Sequence, residues 1–165
     1  MKKLLITIFS LLGSYGAMGQ TSHQVVIHIP KSTAIRLKPS TIETTDFNFN
    51  TVEKLNSGIT RYSAGTYEIR ANDQWVVTAK AMSPFFTNSG TSSSVDMPCS
   101  VLEIQEGNLS SDFATMTVAE QTIVSGNSGD FGEQNEFNIN YKANPGLSYG
   151  PGIYVMNVLL TVSAN

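Results

Sequence analysis

Few side chains in this sequence have the types and spacing that nucleophilic catalysis requires. Such catalysis needs a nucleophile, a base and a third group that orients the base. The chain has only two histidines, His23 and His28, both close to its start. Residues 126–129 place a serine between glycines but lack the Gly-x-Ser-x-Gly spacing of a nucleophile elbow. We therefore predict that the protein is not an enzyme and has no catalytic residues.

Metal ligands are similarly sparse. Zinc prefers closely spaced cysteines and histidines, whereas this chain has one cysteine, Cys99, far from both histidines. Oxygen donors are concentrated in residues 130–136, a composition that suits calcium, but the segment fits no EF-hand pattern. The alternative to a calcium site is a solvated polar loop that precedes a strand, and this loop is what we predict for residues 130–136. The sequence thus predicts no metal site and no cofactor.

Two pairs of carboxylates have a spacing to consider for glycoside hydrolysis, namely Glu103 with Glu106 and Glu133 with Glu136. Side chains three residues apart on a strand point to opposite faces. We therefore expect solvated surface positions, and a carbohydrate-active enzyme is the least favoured function.

Four aromatic residues fall in predicted loops: Phe85, Phe86, Phe131 and Tyr149. Such side chains can stack on sugar rings or contact a protein partner. Alternatively, they can fold back and close the ends of a β-sandwich. The second arrangement is our prediction, and the first keeps a glycan-binding function open.

The elements that position these residues are predicted to be strands, because apolar residues alternate with polar ones along most of the chain. Strand-like segments occur at 24–29, 34–38, 59–62, 66–70, 74–79, 100–105, 115–118, 121–124, 137–141 and 153–163. Eight to ten strands with short turns and no helix predict an antiparallel, immunoglobulin-like β-sandwich. Trp75 is its expected core anchor, and residues 20–165 its single domain.

Two strand assignments are specific enough to test. The Asn72-Asp73 turn joins residues 66–70 to residues 74–79 and predicts a β-hairpin. The final segment, 153–163, is apolar on both faces, which predicts one long strand that is central or covered.

The first nineteen residues have the pattern of a signal peptide. Lys2 and Lys3 precede an apolar run over residues 4–12, and Ala17-Met18-Gly19 supplies small residues at the cleavage positions. We predict cleavage before Gln20 and export to the periplasm, the cell surface or the extracellular space. The apolar run is too short for a permanent transmembrane helix, and no later segment of the mature chain is long enough.

Charge and cysteine content restrict the partners. The mature chain of 146 residues carries eight basic and thirteen acidic residues, a net charge of about −5. Nucleic-acid binding needs clustered lysine and arginine, so we predict no nucleic-acid partner. Cys99 cannot form an internal disulfide. It is either a small buried apolar residue, which we predict, or the site of an intermolecular disulfide.

Residues 151–162, from Pro151-Gly152-Ile153-Tyr154 through the alternating strand, resemble the ending of exported bacterial pilin-like domains of the spore-coat-U type. Residues 71–77, around Trp75, are loosely similar to bacterial Trp-x-Leu surface domains. The resemblance implies a non-enzymatic structural or adhesion module at a bacterial surface or in the periplasm, such as a pilin-like subunit. The alternative is a glycan- or polymer-binding module that uses the loop aromatics.

Self-assembly would involve the N-terminal segment, where Val25, Ile27 and Ile29 share one face. A strand donated to a neighbouring subunit gains main-chain hydrogen bonds and places alternate side chains in pockets. The same segment could instead be the first strand of its own domain, which is the arrangement we predict.

Overall fold

The computed structural model describes residues 24–39, 41, 44–107 and 112–165. The predicted signal peptide, residues 1–19, and His23 lie outside these ranges. In chain order the strands are β1 (Thr33–Leu37), β2 (Ile59–Ala71), β3 (Trp75–Ala81), β4 (Thr87–Ser89), β5 (Leu102–Glu106), β6 (Ala114–Thr115), β7 (Gln121–Gly126), β8 (Glu136–Ala143), β9 (Ile153–Val155) and β10 (Val158–Ala164).

The strands form three antiparallel sheets. The largest has the order β1-β2-β8-β5-β6, the second has the order β10-β3-β7, and β4 pairs with β9 in a small third sheet. The prediction of an all-β protein is confirmed. No helix in the described part of the chain is long and apolar enough to cross a membrane.

The core contains residues from both larger sheets. Its fully buried large side chains come from β2, β3, β5, β8 and the segment after β6: Ile69, Val77, Ile104, Met116, Phe137 and Ile139. Trp75 is 3% exposed, as predicted, and its indole N–H donates to the carbonyl of Asn127 at 2.8 Å. This bond satisfies the only polar group of a ring that is otherwise packed in apolar surroundings.

The predicted hairpin at Asn72-Asp73 is wrong. β2 belongs to the five-stranded sheet and β3 to the three-stranded sheet, so residues 72–74 carry the chain from one sheet to the other. The alternation correctly marked the two strands, but a short polar connection is compatible with both a hairpin and a crossing.

The predicted single strand at 153–163 is also wrong. It is divided into β9 and β10 in different sheets, and Asn157, between them, accepts a hydrogen bond from the N–H of Met82. β10 has only β3 as a hydrogen-bonded neighbour among the described strands, so it is an edge strand rather than a central one.

Other local elements also differ from the prediction of strands joined by short turns without a helix. Segments 59–62 and 66–70 form one strand, β2, with a bulge where Asn140 accepts a hydrogen bond from the N–H of Ser63. The chain also has a short helix, α1 (Val52–Ser57), and two 3₁₀ turns, Cys99–Val101 and Glu133–Asn135. α1 ends at Ser57, and the following Gly58 has a φ of 76°, which favours glycine.

Candidate functional site

The N-terminal segment, Gln24 to Ile29, is the most unusual surface of the described chain. It belongs to no strand, so the prediction that it is the domain's own first strand is wrong. Val25, Ile27 and Ile29 are 72%, 77% and 78% exposed. A cluster of large apolar side chains this exposed is typical of an interaction surface.

Residues 30–32, which follow this segment, are bonded to the body of the protein. The side chain of Asn72 donates to the carbonyl of Pro30 at 2.7 Å and accepts from the N–H of Ser32 at 2.8 Å. Lys31 forms an ion pair with Asp73 at 2.8 Å and also donates to the C-terminal residue, Asn165. The hydrogen bond from Lys31 holds the pKa of Asp73 below its usual value. The segment therefore leaves the protein at a fixed point beside the end of β10.

β1 and β10 are edge strands of their respective sheets and lie against each other without forming a ladder. The core-facing side chains of β10, Val158, Leu160 and Val162, are only half-buried, and so is Ile35 on β1. Inward-facing side chains that stay half-exposed indicate that this side of the core is incompletely covered.

The opposite side of the core is covered by the chain around β6. Met116 is completely buried, and the N–H of Ala81 donates to the carbonyl of Thr117 at 2.8 Å. Cys99 is 8% exposed, as predicted, and its thiol donates to the carbonyl of Met116 at 3.4 Å. Ile123 and Val124 on β7 are nevertheless only half-buried, so the cover on this side is also incomplete.

Phe131, a candidate for sugar stacking, is occupied by neighbouring side chains. The guanidinium carbons of Arg36 and Arg70 lie 4.1 and 4.5 Å from the centre of its ring. Arg36 pairs with Glu68 at 2.7 Å, and Arg70 pairs with Asp130 at 2.5 Å. Phe131 therefore connects its loop to β1 and β2 through these two arginines, and it is not among the residues that pack against the core.

The other loop aromatics differ from one another. Phe86 is half-buried and packs against the core, whereas Phe85 is 47% exposed. Tyr149 is half-buried. The structure therefore leaves Phe85 as the accessible aromatic of the four.

Two of the three carboxylates in the acidic loop at 130–136, those of Asp130 and Glu136, form ion pairs with cations of the protein itself. Asp130 is bound by Arg70 and by the N–H of Phe131, and these hydrogen bonds lower its pKa. Glu136 pairs with Lys38 at 2.6 Å, which raises the pKa of that lysine. Within the described ranges, no group of three or more histidine, cysteine or acidic residues is placed to hold a metal.

Of the two carboxylate pairs considered for glycoside hydrolysis, Glu103 and Glu106 point to opposite faces of their strand, as predicted. Glu103 forms an ion pair with Lys142 at 3.1 Å, while Glu106 alternates with it on the opposite face of β5. Glu106 is 4% exposed, so its predicted surface position is wrong. Glu133 lies in a 3₁₀ turn rather than on a strand. His28 is exposed on the N-terminal segment.

Two shallow depressions of about 200 and 230 Å³ adjoin Trp75, Ser125 and Gly126. Pockets that bind small molecules usually enclose about 300–1,000 Å³. The N-terminal segment and the β1–β10 side therefore remain the best-defined candidate site.

The geometry defines an all-β protein with an exposed apolar segment and an incompletely covered edge of its core. Comparison of the chain with protein-family models and with curated proteins finds no match. The arguments for function therefore rest on the residues and their positions.

Proposed function

We propose that this protein is an exported, non-enzymatic structural module of a bacterial surface or periplasm, with an immunoglobulin-like β-sandwich fold, which works as a self-assembling, pilin-like subunit. The observation that carries the proposal is the exposed apolar face of the N-terminal segment, formed by Val25, Ile27 and Ile29. The spore-coat-U-like ending at residues 151–162 gives additional support.

The energetic argument favours a protein partner for this face. Complete burial of a valine or isoleucine side chain stabilises a complex by about 1.5–3 kcal/mol. Part of that gain offsets the cost of ordering the segment, which is about 1–2 kcal/mol per residue for the backbone. Main-chain hydrogen bonds to a second strand supply a further favourable contribution. A strand added from another protein gains both the burial of these side chains and the main-chain hydrogen bonds. A small soluble ligand gains little of either contribution.

The glycan-binding alternative has less support. Phe131 lies against two guanidinium groups, and Phe86 packs against the core, so neither presents a free ring to a sugar. Phe85 alone offers one exposed ring on which a sugar could stack.

Light scattering coupled to size exclusion on residues 20–165, over a wide concentration range, tests the proposal. We expect a series of oligomers that grow with concentration and persist in reducing agent, which removes any disulfide through Cys99. A monomer of about sixteen kilodaltons at every concentration is incompatible with self-assembly. That result would favour the alternative function, a glycan- or polymer-binding module.

A matched pair of substitutions identifies the face that assembles. Ile27→Asp places a charge on the face shared by Val25 and Ile29, and we expect it to abolish the oligomers. Val26→Asp places the same charge on the opposite face and should have a much smaller effect. Both positions are exposed, at 77% and 60%, so neither change should alter the fold. Equal effects of the two variants would contradict a role for one face of an added strand.

A further inference from the structure

We propose that the two depressions beside Trp75 form one binding groove for a compact organic cation, whose ammonium group contacts the carboxylate of Glu106. Both depressions are lined by Trp75, Ser125 and Gly126, so they share a wall. The inference does not depend on self-assembly, since none of residues 24–29 lines either depression. It is carried by the position of Glu106, the composition of the walls and the dimensions of the groove.

The groove is lined by strand ends from both larger sheets. β3 begins at Trp75, which pairs with Gly126 at the end of β7. In the five-stranded sheet, β5 ends at Glu106, and Phe137 lies at the start of the neighbouring strand, β8. All four residues line the first depression. The groove therefore opens at one end of the core, between the two sheets.

Glu106 is an unusual residue for the inner face of a sheet. It continues the inward row of Leu102 and Ile104, both of which are buried, and is itself only 4% exposed. Moving a carboxylate out of water is costly, so an inward-facing carboxylate needs compensating contacts. A carboxylate has about four lone-pair positions. Glu106 can therefore bind a ligand while it keeps its contacts within the protein.

The remaining walls favour a cation over an anion. Neither depression has a lysine, arginine or histidine among the described residues that line it. Glu136, the second carboxylate in the wall, is held by Lys38 at 2.6 Å. Trp75 and Val124 supply apolar surface, and opposite charges attract more strongly beside apolar walls than in water. An ammonium group is therefore the chemistry that complements Glu106, and the net charge of about −5 on the mature chain also attracts cations.

Hydrogen bonds hold the walls of the groove in place. The indole N–H of Trp75 donates to the carbonyl of Asn127, and the side-chain amide of Asn135 donates to the carbonyl of Asp130 at 3.1 Å. Gly126 lies directly against the Trp75 ring, where a Cβ would have no room. A preorganised site pays less for ordering when a ligand binds. The groove should therefore accept a ligand with little rearrangement.

The dimensions select a small ligand. The two volumes, about 200 and 230 Å³, are below those of sites for drug-sized molecules. The first depression contains Glu106 and accommodates the ammonium group. The second is lined by Gln74 and Asn127, whose amide groups can donate to and accept from a polar tail. We therefore expect a short primary amine as the ligand.

Titration of the protein with three ligands of one carbon skeleton tests the site: propylammonium, 1-propanol and propionate. Trp75 is the only tryptophan, so its fluorescence reports on the groove, and calorimetry checks each result. We expect propylammonium to bind with a Kd on the order of 1 mM, a strength within reach of so small a ligand. The other two ligands should bind at least about tenfold more weakly, because they lack the positive charge. Potassium chloride at the same ionic strength controls for a general salt effect.

Substitutions separate the role of Glu106 from that of the overall charge. Glu106→Gln should weaken propylammonium binding at least about tenfold, and chemical denaturation checks its folding. Ser125 is exposed at the rim of both depressions and keeps the test usable if that variant does not fold. Ser125→Lys should weaken binding about threefold, and Ser125→Glu should strengthen it about threefold. Thr161→Lys is the control, because it changes the net charge equally at an exposed position outside both depressions.

Three results would overturn the cation site. The first is binding of 1-propanol or propionate as tight as that of propylammonium. The second is propylammonium binding that Glu106→Gln leaves unchanged or that the two Ser125 variants do not shift in opposite directions. The third is the absence of any fluorescence change and any heat at concentrations far above the expected Kd. Each of them leaves the proposed self-assembly intact, since light scattering tests that function separately.

Discussion

The guanidinium carbon of Arg36 lies 4.1 Å from the centre of the Phe131 ring, and this contact joins a long loop to an edge strand of the five-stranded sheet. Arg70 approaches the same ring at 4.5 Å from the neighbouring strand. Cation–π contacts at exposed sites contribute about 0.5–1 kcal/mol each. An aromatic side chain that resembles a binding residue in the sequence is therefore a structural contact in the folded protein.

Replacement of Phe131 by alanine should lower the free energy of unfolding by about 1–2 kcal/mol, because two cation–π contacts and a half-buried ring are lost. Chemical denaturation of the purified protein measures the change. Phe85→Ala is the control, since Phe85 is 47% exposed and should cost less than about 0.5 kcal/mol. If Phe131→Ala left stability unchanged while weakening binding to a glycan, the structural role of Phe131 would be refuted.

Gly126 lies against the only tryptophan of the protein, and a Cβ at this position would be 2.2 Å from Cζ2 of Trp75. Gly126→Ala should therefore destabilise the fold by about 1–3 kcal/mol, as overpacked core substitutions do. Thermal unfolding followed by tryptophan fluorescence reports both the stability and the displacement of the ring. The neighbouring exposed substitution Ser125→Ala should behave like the unmodified protein, and similar behaviour of Gly126→Ala would show that the two residues do not pack as described.

The thiol of Cys99 should be unreactive in the native protein, because it is 8% exposed and bonded to the carbonyl of Met116. A thiol reagent such as Ellman's reagent should label it slowly under native conditions and rapidly in denaturant. Rapid labelling of the native protein, or a dimer on non-reducing gels, would support the intermolecular disulfide instead.

The pair of Arg70 with Asp130 should make a pH-dependent contribution to stability. The hydrogen bond from Arg70 lowers the pKa of Asp130 in the folded state below its unfolded value of 3.8. The contribution is therefore complete above that value and is lost as the pH falls through the lower folded pKa. Unfolding curves of the parent and of Asp130→Asn should differ at pH 7 and converge in strong acid. A constant difference across the acid range would exclude this linkage.

The alternation of side chains along β3 was correctly predicted from the sequence, because it is a property of the local backbone. The β3 pattern, in which Trp75, Val77, Ala79 and Ala81 are buried and the intervening residues are not, follows the predicted faces. The burial of Cys99 and the inward folding of Phe86 also agree with the prediction. Period-two patterning needs no knowledge of which strands are neighbours.

The candidate site was only partly predictable. The apolar face of Val25, Ile27 and Ile29 was recognised in the sequence, but its location outside every strand was not. The contacts of Phe131 with Arg36 and Arg70 join residues about 95 and 60 positions apart along the chain, respectively, and no sequence pattern of short range signals such contacts.

The sequence by itself determined the all-β class, the inward faces of its strands and the apolar character of the N-terminal segment, since composition and alternation act locally. Only the tertiary structure decided that β2 and β3 lie in different sheets, that residues 153–163 divide into β9 and β10, and that β10 is an edge. Strand pairing is non-local: a short turn and an alternating strand are compatible with several neighbours, and the packing of the whole core selects among them.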